Sequence, residues 1–406
     1  CGQKKIPAAI VISAGFREAG MEGLEREREL ISVAREYNIR LIGPNCLGVL
    51  DTFTPLNATF AAGAPPNGPM AFTSQSGALG IAILDWAQAG RLGLSKFVSL
   101  GNKADVDEVD LLRAWCDDKH TRVILIYSEE LSHGQEFIRT AREVSQVKPI
   151  IAIKSGVTQS GARAVTSHTG SLAGSEEAYQ AAFRQAGVLQ ADSLESLFDM
   201  ALAFAYQPPV HGDRIAIVTN AGGPGILATD ALEQVGLAIA RFETETIKTL
   251  EQHLPDAASA ANPVDVLGDA TPERYRLALE TVAADPNVDG LLAVLVPQAV
   301  LDTQAVAEAV VSLETRLQKP LLACFMGEAR MRAAIDSLTT QGIPNYQFPK
   351  RAAHVFRAMA DYQIIRARPL PQFITFDVNK AAAQAVLDTV RAEGRVTIGD
   401  TEARQI

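Results

Sequence analysis

Cysteine is scarce in this chain. Four occur in 406 residues, Cys1, Cys46, Cys116 and Cys324, far apart and with no CxxC pair. That excludes a disulfide framework and a cysteine-rich zinc site, and it suits a reducing, cytoplasmic setting. Long apolar runs are also missing: none approaches the roughly 20 residues that span a bilayer, and no signal-peptide pattern opens the sequence. Positive charge is in deficit. Lys and Arg number 37 against 47 Asp and Glu, a net charge of −10. Such a chain lacks the basic surface that nucleic acid or an anionic membrane requires. Small anions remain open, because backbone N–H groups hold them without net charge. The six histidines are spaced so that no metal site is expected among them.

What is present is the material of a globular α/β protein. The chain is 47% hydrophobic and 21% charged, enough to build several cores. Its length predicts two to three domains. Short β-branched runs alternate with helical stretches. Ala8–Ser13, Arg40–Ile42, Met70–Thr73, Phe97–Leu100, Val123–Tyr127 and Ile150–Lys154 read as strands, as do Arg214–Thr219, Leu237–Arg241, Gly290–Val296 and Leu321–Phe325. Met21–Tyr37 reads as a helix, with Leu24, Ile31 and Ala34 on one face. Continuous apolar strands separated by helices imply tandem doubly wound parallel sheets, covered on both faces. Pro-rich breaks at Ala61–Pro69 and Gln207–Asp213, and a third after Arg368, have linker composition. The chain starts at Cys1 with what reads as the middle of a domain, so a piece of a longer protein is expected.

An internal repeat joins the two large segments. FTSQSGALG at Phe72–Gly80 and VTNAGGPGI at Val218–Ile226 are each a strand end, a small-residue turn and a helix start. KPIIAIKSG at Lys148–Gly156 and KPLLACFMG at Lys319–Gly327 repeat in the same order. This suggests two related domains, although any two parallel α/β domains share such turns. In Ser74-Gln75-Ser76-Gly77 and in Asn220-Ala221-Gly222-Gly223-Pro224-Gly225, first-turn N–H groups would face outward with the positive helix end behind them. Close packing of strand and helix is the plain alternative. Neither turn is a Walker loop or a GxGxxG fingerprint.

His168 stands apart from the other histidines. It lies in AVTSHTGSLAGS, rich in small and hydroxylated residues, after the glycine-rich Gly156–Gly161 stretch. A long loop of this kind inside a compact domain is functional or disordered. Histidine offers a nucleophilic nitrogen near neutral pH and can carry a phosphoryl group. Glu129 and Glu130 end the strand Val123–Tyr127, where a carboxylate could fix the histidine tautomer; a solvated helix start is the alternative. Gly43-Pro44-Asn45-Cys46-Leu47-Gly48 is a further strand-end loop. Nothing in the sequence lowers the pKa of Cys46, so it is not read as a nucleophile.

Taken in order, GPNCLG, SQSGALG, the YSEEL strand end, TSHTGSLAG and NAGGPG resemble the NDP-forming acyl-CoA synthetases, of the acetate–CoA ligase (ADP-forming) type, relatives of succinyl-CoA synthetase. The resemblance covers nearly the whole chain. It implies that residues 1–67 are the end of a Rossmann-like CoA-binding domain and 68–209 a succinyl-CoA-ligase-like domain with the phosphohistidine loop. Residues 210–368 would be a second flavodoxin-type ligase domain, and 369–406 a linker and the opening of an ATP-grasp module. It implies His168 as the phosphorylated residue and Glu129 as its hydrogen-bonding partner, with SEE leaving Glu130 as an alternative. Ser74, Gln75, Ser76 and Gly77, with Gly222, Gly223 and Gly225, match the two helix N-termini that flank the phosphate. Asn45 and Cys46, with Asn220, Asn262, Asp265 and Gly268, match positions near CoA and the acid.

The implied partners are a small carboxylic acid, phosphate and CoA. ATP or ADP with Mg2+ would bind in an ATP-grasp module, fused or separate, outside this chain. A homo-oligomer is expected. The implied chemistry forms an acyl phosphate and free CoA from acyl-CoA and phosphate. His168 then takes the phosphoryl group, releasing the acid, and passes it to ADP. The rival is a ligand-sensing region of a protein acetyltransferase with the same architecture, against which the intact SHTG speaks. A nicotinamide dehydrogenase is disfavoured by the missing GxGxxG.

Overall fold

The computed structural model describes residues 1–89, 92–158, 160, 161, 163, 176–314, 317–369 and 377–406. The chain opens with a small parallel pair, β1 (Ala8–Ile10) and β2 (Arg40–Ile42), joined through helix α1 (Met21–Glu36). A hairpin follows, β3 (Gly48–Asp51) and β4 (Leu56–Thr59). Then come β5 (Asn67–Ser74), α2 (Gly77–Ala89), β6 (Leu94–Ser99), α3 (Glu108–Cys116), β7 (Val123–Ser128), α4 (Gly134–Ser145) and β8 (Ile150–Lys154). α5 (Glu176–Ala186), β9 (Leu189–Gln190) and α6 (Leu194–Tyr206) complete this lobe.

The second lobe runs β10 (Arg214–Thr219), α7 (Gly222–Gln234), β11 (Ala238–Ile239), α8 (Thr244–His253), β12 (Val264–Asp265), α9 (Pro272–Ala284) and β13 (Gly290–Leu295). It ends with α10 (Thr303–Glu314), β14 (Leu321–Phe325), α11 (Arg332–Thr340) and α12 (Pro349–Ala367). Residues 1–368 form one compact unit and Pro369–Ile406 another; the latter carries α13 (Lys380–Ala392) and α14 (Asp400–Gln405). Among the described residues no helix is long and apolar enough to cross a membrane.

The first large sheet has the order β4-β3-β6-β5-β7-β8-β9 and the second β11-β10-β13-β14, with β12 also on β10. All pairings are parallel except β3 with β4 and β3 with β6. The expected parallel α/β class is what the chain adopts. One difference is the β3–β4 hairpin, which reads as loop in the sequence. It adds an antiparallel edge to the first sheet, and Leu47 and Leu50 enter that sheet's core. The Pro-rich run 61–69 therefore joins two strands of one sheet, and its last three residues open β5. The two-residue strands β9 and β12 were also not expected; they are too short to show a period.

Strand alternation explains how the core divides. Side chains at successive strand positions point to opposite faces. On β5 and β7, Met70, Phe72, Val123 and Leu125 face one way, while Ala71, Ile124 and Ile126 face the other. The first set shares a continuous core with Ile215, Ile217, Leu292 and Val294 of the second sheet, filled by α2, α6, α7 and α12. Ala216, Val218, Leu291 and Ala293 belong to the second sheet's other core. The two sheets thus turn their inner faces to a common helical layer, and the parallel strands are buried on both sides.

Candidate functional site

The carboxyl ends of β5 and β7 lie side by side, Ser74 opposite Tyr127. This is where parallel α/β sheets form sites, because the chain leaves strand for helix there. After Ser74 the chain turns at Gln75 and Ser76 and enters α2. The Ser76 hydroxyl accepts from the Leu79 N–H at 3.3 Å, which caps the helix. The first-turn residues Gly77 and Ala78 then border a cavity of about 400 Å³. Their N–H groups have no partner inside the helix, and the helix dipole adds positive potential there.

Four other elements complete this cavity. The loop before β3 contributes Asn45, Cys46 and Leu47, and the end of β7 contributes Glu129. Gly101 and Asn102 come from the turn after β6, and Ile12 and Glu18 from the stretch between β1 and α1. Gly101 has φ of 56°, and a Cβ there would lie 2.2 Å from the Pro44 carbonyl oxygen, so this close approach requires glycine. Phe60 and Ile81 form an exposed apolar rim.

Hydrogen bonds fix the cavity's floor. The Gln75 backbone N–H donates to the Tyr127 carbonyl at 3.2 Å. Its side-chain Oε1 accepts from the Glu129 N–H at 2.5 Å, the Glu130 N–H at 2.9 Å and the Ser128 hydroxyl at 3.2 Å. Glu129 itself is 8% exposed. Glu130 is turned elsewhere: its carboxylate accepts from Arg17 Nη2 at 3.0 Å. Its carbonyl accepts from Lys103 Nζ at 2.7 Å, and that ammonium is paired with buried Glu108 at 2.9 Å. Lys154, at the end of β8, lies over the Tyr179 ring at 4.5 Å. Burial lowers its pKa, opposed by the charges of Glu129 and Glu130.

On the other side Asn102 donates to Glu18 at 2.6 Å and to Glu27 at 2.9 Å, and accepts from Asn45 at 3.3 Å. Burial acts to raise the Glu18 pKa, but the bonds from Asn102, Gly15 and Phe16 outweigh it and hold the carboxyl below its ordinary value. Cys46 is buried, and burial pushes its thiol up to about 11. It is a wall of the cavity, as its apolar surroundings dictate, and a poor nucleophile.

Of the residues singled out in the sequence, Asn45, Cys46, Gln75, Ser76, Gly77 and Glu129 meet at this cavity. Ser74 does not line it: it is fully buried and its hydroxyl donates to the Ser76 carbonyl. His168 lies outside the described residues. The remaining candidates gather at the carboxyl end of β10 in the second lobe, and none of them is among the described residues lining the cavity. Asn220 bridges to Val296 through both its amide atoms, at 3.0 and 2.9 Å. Asn262 bonds the backbone of Ile215, Ile217 and Ala240. Both amides brace the sheet. Asp265 accepts from Leu267 N–H at 2.9 Å and lies 3.7 Å from where a Cβ on Gly222 would stand. At Gly225 a Cβ would come within 3.0 Å of Thr219, and at Gly268 within 2.0 Å of the Gln298 side chain. Gly222 and Gly223, at the start of α7, are exposed.

Sequence reasoning missed Glu18, Asn102, Phe60 and Ile81. Asn102 follows a strand end in Gly101-Asn102-Lys103, the same kind of signal that exposed Asn45. The others carry none.

Residues 67–204 match the succinyl-CoA ligase like flavodoxin domain, and residues 215–370 match the Ligase-CoA domain. The chain is 43% identical over 370 residues to acetate–CoA ligase [ADP-forming] I subunit alpha of Pyrococcus furiosus, covering 91% of this chain and 80% of that one. It belongs to the NDP-forming acyl-CoA synthetase family. A second member, acetate–CoA ligase [ADP-forming] I of Archaeoglobus fulgidus, is 44% identical over 400 residues, 98% of this chain and 57% of its own length. The chain thus spans little more than half of that synthetase. Among solved synthetase structures, the dinucleotide forming acetyl-coenzyme A synthetase 1 of Ca. Korarchaeum cryptofilum, in complex with phosphate and ADP, superposes with a TM-score of 0.86 at 38% identity, over 90% of this chain and 80% of that one.

Proposed function

We propose that the chain is the acyl- and phosphoryl-handling part of an ADP-forming acyl–CoA ligase acting on acetate or a related small acid. The reaction interconverts acyl-CoA, phosphate and ADP with the acid, CoA and ATP. The observation that carries this reading is the cavity at the ends of β5 and β7, where helix N–H groups of Gly77 and Ala78 and the buried carboxyl residue Glu129 adjoin one space. Relatives named as acetate–CoA ligases support the substrate class.

In this reading phosphate attacks the acyl carbon of acyl-CoA, and the thiolate of CoA leaves. The His168 imidazole then attacks phosphorus in the acyl phosphate, and the carboxylate leaves. Glu129 accepts a hydrogen bond from the other ring nitrogen, fixing the tautomer and stabilising the cation that forms. The N-terminus of α2 offsets the dianion at the cavity through aligned N–H groups, and the resemblance implies a second terminus, that of α7 at Gly222–Gly225, which is not among the described residues lining the cavity. That requires no net positive charge and agrees with an acidic chain. The phosphoryl group passes next to ADP, held with Mg2+ by an ATP-grasp module, and CoA is a substrate in the same sequence. The domain division at 67, 209 and 368 belongs to the same proposal.

Labelling tests it. The chain incubated with radioactive acetyl phosphate is expected to become an acid-labile, base-stable phosphoprotein. His168→Ala is expected to abolish the label with an unchanged thermal midpoint. A variant that labels like the parent would refute the nucleophile, and a parent that never labels would favour a ligand-sensing role.

A further inference from the structure

The Gln75 carboxamide does more than the backbone of its turn requires. Its oxygen accepts three donors, the N–H groups of Glu129 and Glu130 and the Ser128 hydroxyl, at 2.5, 2.9 and 3.2 Å. A carbonyl oxygen has two lone pairs, so three donors saturate it. They also fix which way the amide points: rotated by half a turn, its NH2 would face three other donors. The Nε2 side is therefore left for the cavity that Gln75 lines beside Ser76 and Gly77. No hydrogen bond from Nε2 to any described residue is present, although the residue is only 7% exposed. The donor pair therefore meets only solvent or a ligand in the cavity beside the helix N-terminus.

We propose that Gln75 joins the anion to Glu129: its Nε2–H2 donates to the phosphoryl oxygens, while its Oε1 holds the Glu129–Glu130 turn. This rests on the reading of the cavity given above and adds a side-chain donor to the helix N–H groups. The consequence is mechanical as well as electrostatic. The donors that saturate Oε1 come from the backbone of Glu129 and its neighbours, so Glu129 and the anion are set by one rigid planar group. Placing a catalytic carboxylate within a few tenths of an ångström depends on such supporting contacts.

The test uses the full chain and inorganic phosphate, with calorimetry and side-chain amide NMR. On titration the Gln75 Nε2–H2 signals are expected to shift and to saturate at the calorimetric Kd. Gln75→Glu keeps an acceptor for the three donors but places a carboxylate oxygen where the NH2 stood. It is expected to retain the thermal midpoint and to weaken phosphate binding by roughly 10–100-fold, the range for charge-assisted hydrogen bonds. Gln75→Met loses both roles and is expected to lower affinity and thermal midpoint together. In single-turnover phosphorylation by acetyl phosphate, Gln75→Glu is expected to raise the half-saturating concentration more than it lowers the limiting rate, whereas Gln75→Met raises the first and lowers the second to similar extents. Gln75 signals that stay fixed while the wild-type chain binds phosphate, or wild-type affinity in Gln75→Glu, would overturn this assignment and leave the site reading standing. A wild-type chain that binds no phosphate would overturn both.

Discussion

At the scale of single residues, the two acidic residues at the end of β7 separate cleanly. Glu129 borders the cavity, whereas the Glu130 carboxylate is held by Arg17 on the N-terminal side. Glu129→Gln is expected to slow phosphoryl transfer by about 10²–10⁴-fold, the usual worth of an oriented proton-handling group. Glu130→Gln loses a partly exposed ion pair of about 0–1 kcal/mol and should change the rate little. Rapid-quench phosphoenzyme assays decide between them; equal losses would count against the assignment. Cys46 offers a second check. Its thiol at about 11 stands two units above the ordinary 9.0, so at pH 8 its thiolate population is about 100-fold lower. Iodoacetamide at pH 8 should label exposed Cys1 quickly and Cys46 very slowly, as peptide mass spectrometry would show.

Single elements owe their positions to caps and to charges buried beside them. Helix α3 starts at Asp107, whose carboxylate accepts from Val109 N–H at 2.8 Å, and its other oxygen meets His133 Nδ1 at 2.7 Å. On β10, Arg214 clamps Asp289 through Nε and Nη2, both at 2.8 Å. Burial acts to raise the Asp289 pKa, but the hydrogen bonds and charge of Arg214 prevail and hold it below the ordinary carboxylate value. A carboxyl lowered on folding stabilises above its unfolded pKa of about 3.9, and that contribution is lost as pH falls through the folded value. Asp289→Asn should therefore be less stable than wild type at pH 7, with the gap closing towards pH 3. Thermal melts across that range test it, and a gap independent of pH would contradict it.

Across residues 1–368, the two lobes are joined by packed helices and not by a shared sheet. Helix α6, at the end of the first lobe, meets α12, at the end of the second, and Arg351 grips Asp199 by two bonds of 2.7 Å. Burial raises the Asp199 pKa, opposed by Arg351, and the neighbouring Tyr346 hydroxyl donates to the Asp199 carbonyl at 2.9 Å. Arg351→Ala leaves that carboxylate buried without its fork and is expected to cost about 1–3 kcal/mol. Arg351→Lys should recover only part, because an ammonium cannot reproduce the planar pair. Urea unfolding provides the measurement. Full stability in Arg351→Ala would show that apolar packing by Phe356, Met359 and their neighbours joins the lobes unaided.

The parallel α/β class, ten of the strands and the glycine turns that open α2 and α7 are written in the sequence, because apolar runs and Gly-rich strand ends are local signals. Arg40–Ile42, Ile150–Lys154, Arg214–Thr219 and Leu321–Phe325 form with the expected limits. The β3–β4 hairpin was not legible, since β3 becomes strand by pairing with β6, a partner 45 to 49 residues away (Val49 with Val98, Asp51 with Lys96), and β4 by pairing with β3. The site divides in the same way. Asn45, Cys46, Gln75 to Gly77 and Glu129 announce themselves as strand-end residues, and the parallel sheet brings strand ends to one edge. Which side chains face the cavity is a matter of tertiary hydrogen bonding. Ser74 and Ser76 look alike in sequence, yet one hydroxyl is buried against a carbonyl and the other caps a helix at the cavity wall. Asn220 and Asn262 stand in motifs expected near the acid and CoA, and the fold adds that their amides are bonded to Val296 and to the β10 backbone. Only the folded neighbours decide whether a polar side chain is satisfied by the protein or left for a ligand, because that depends on partners distant in sequence.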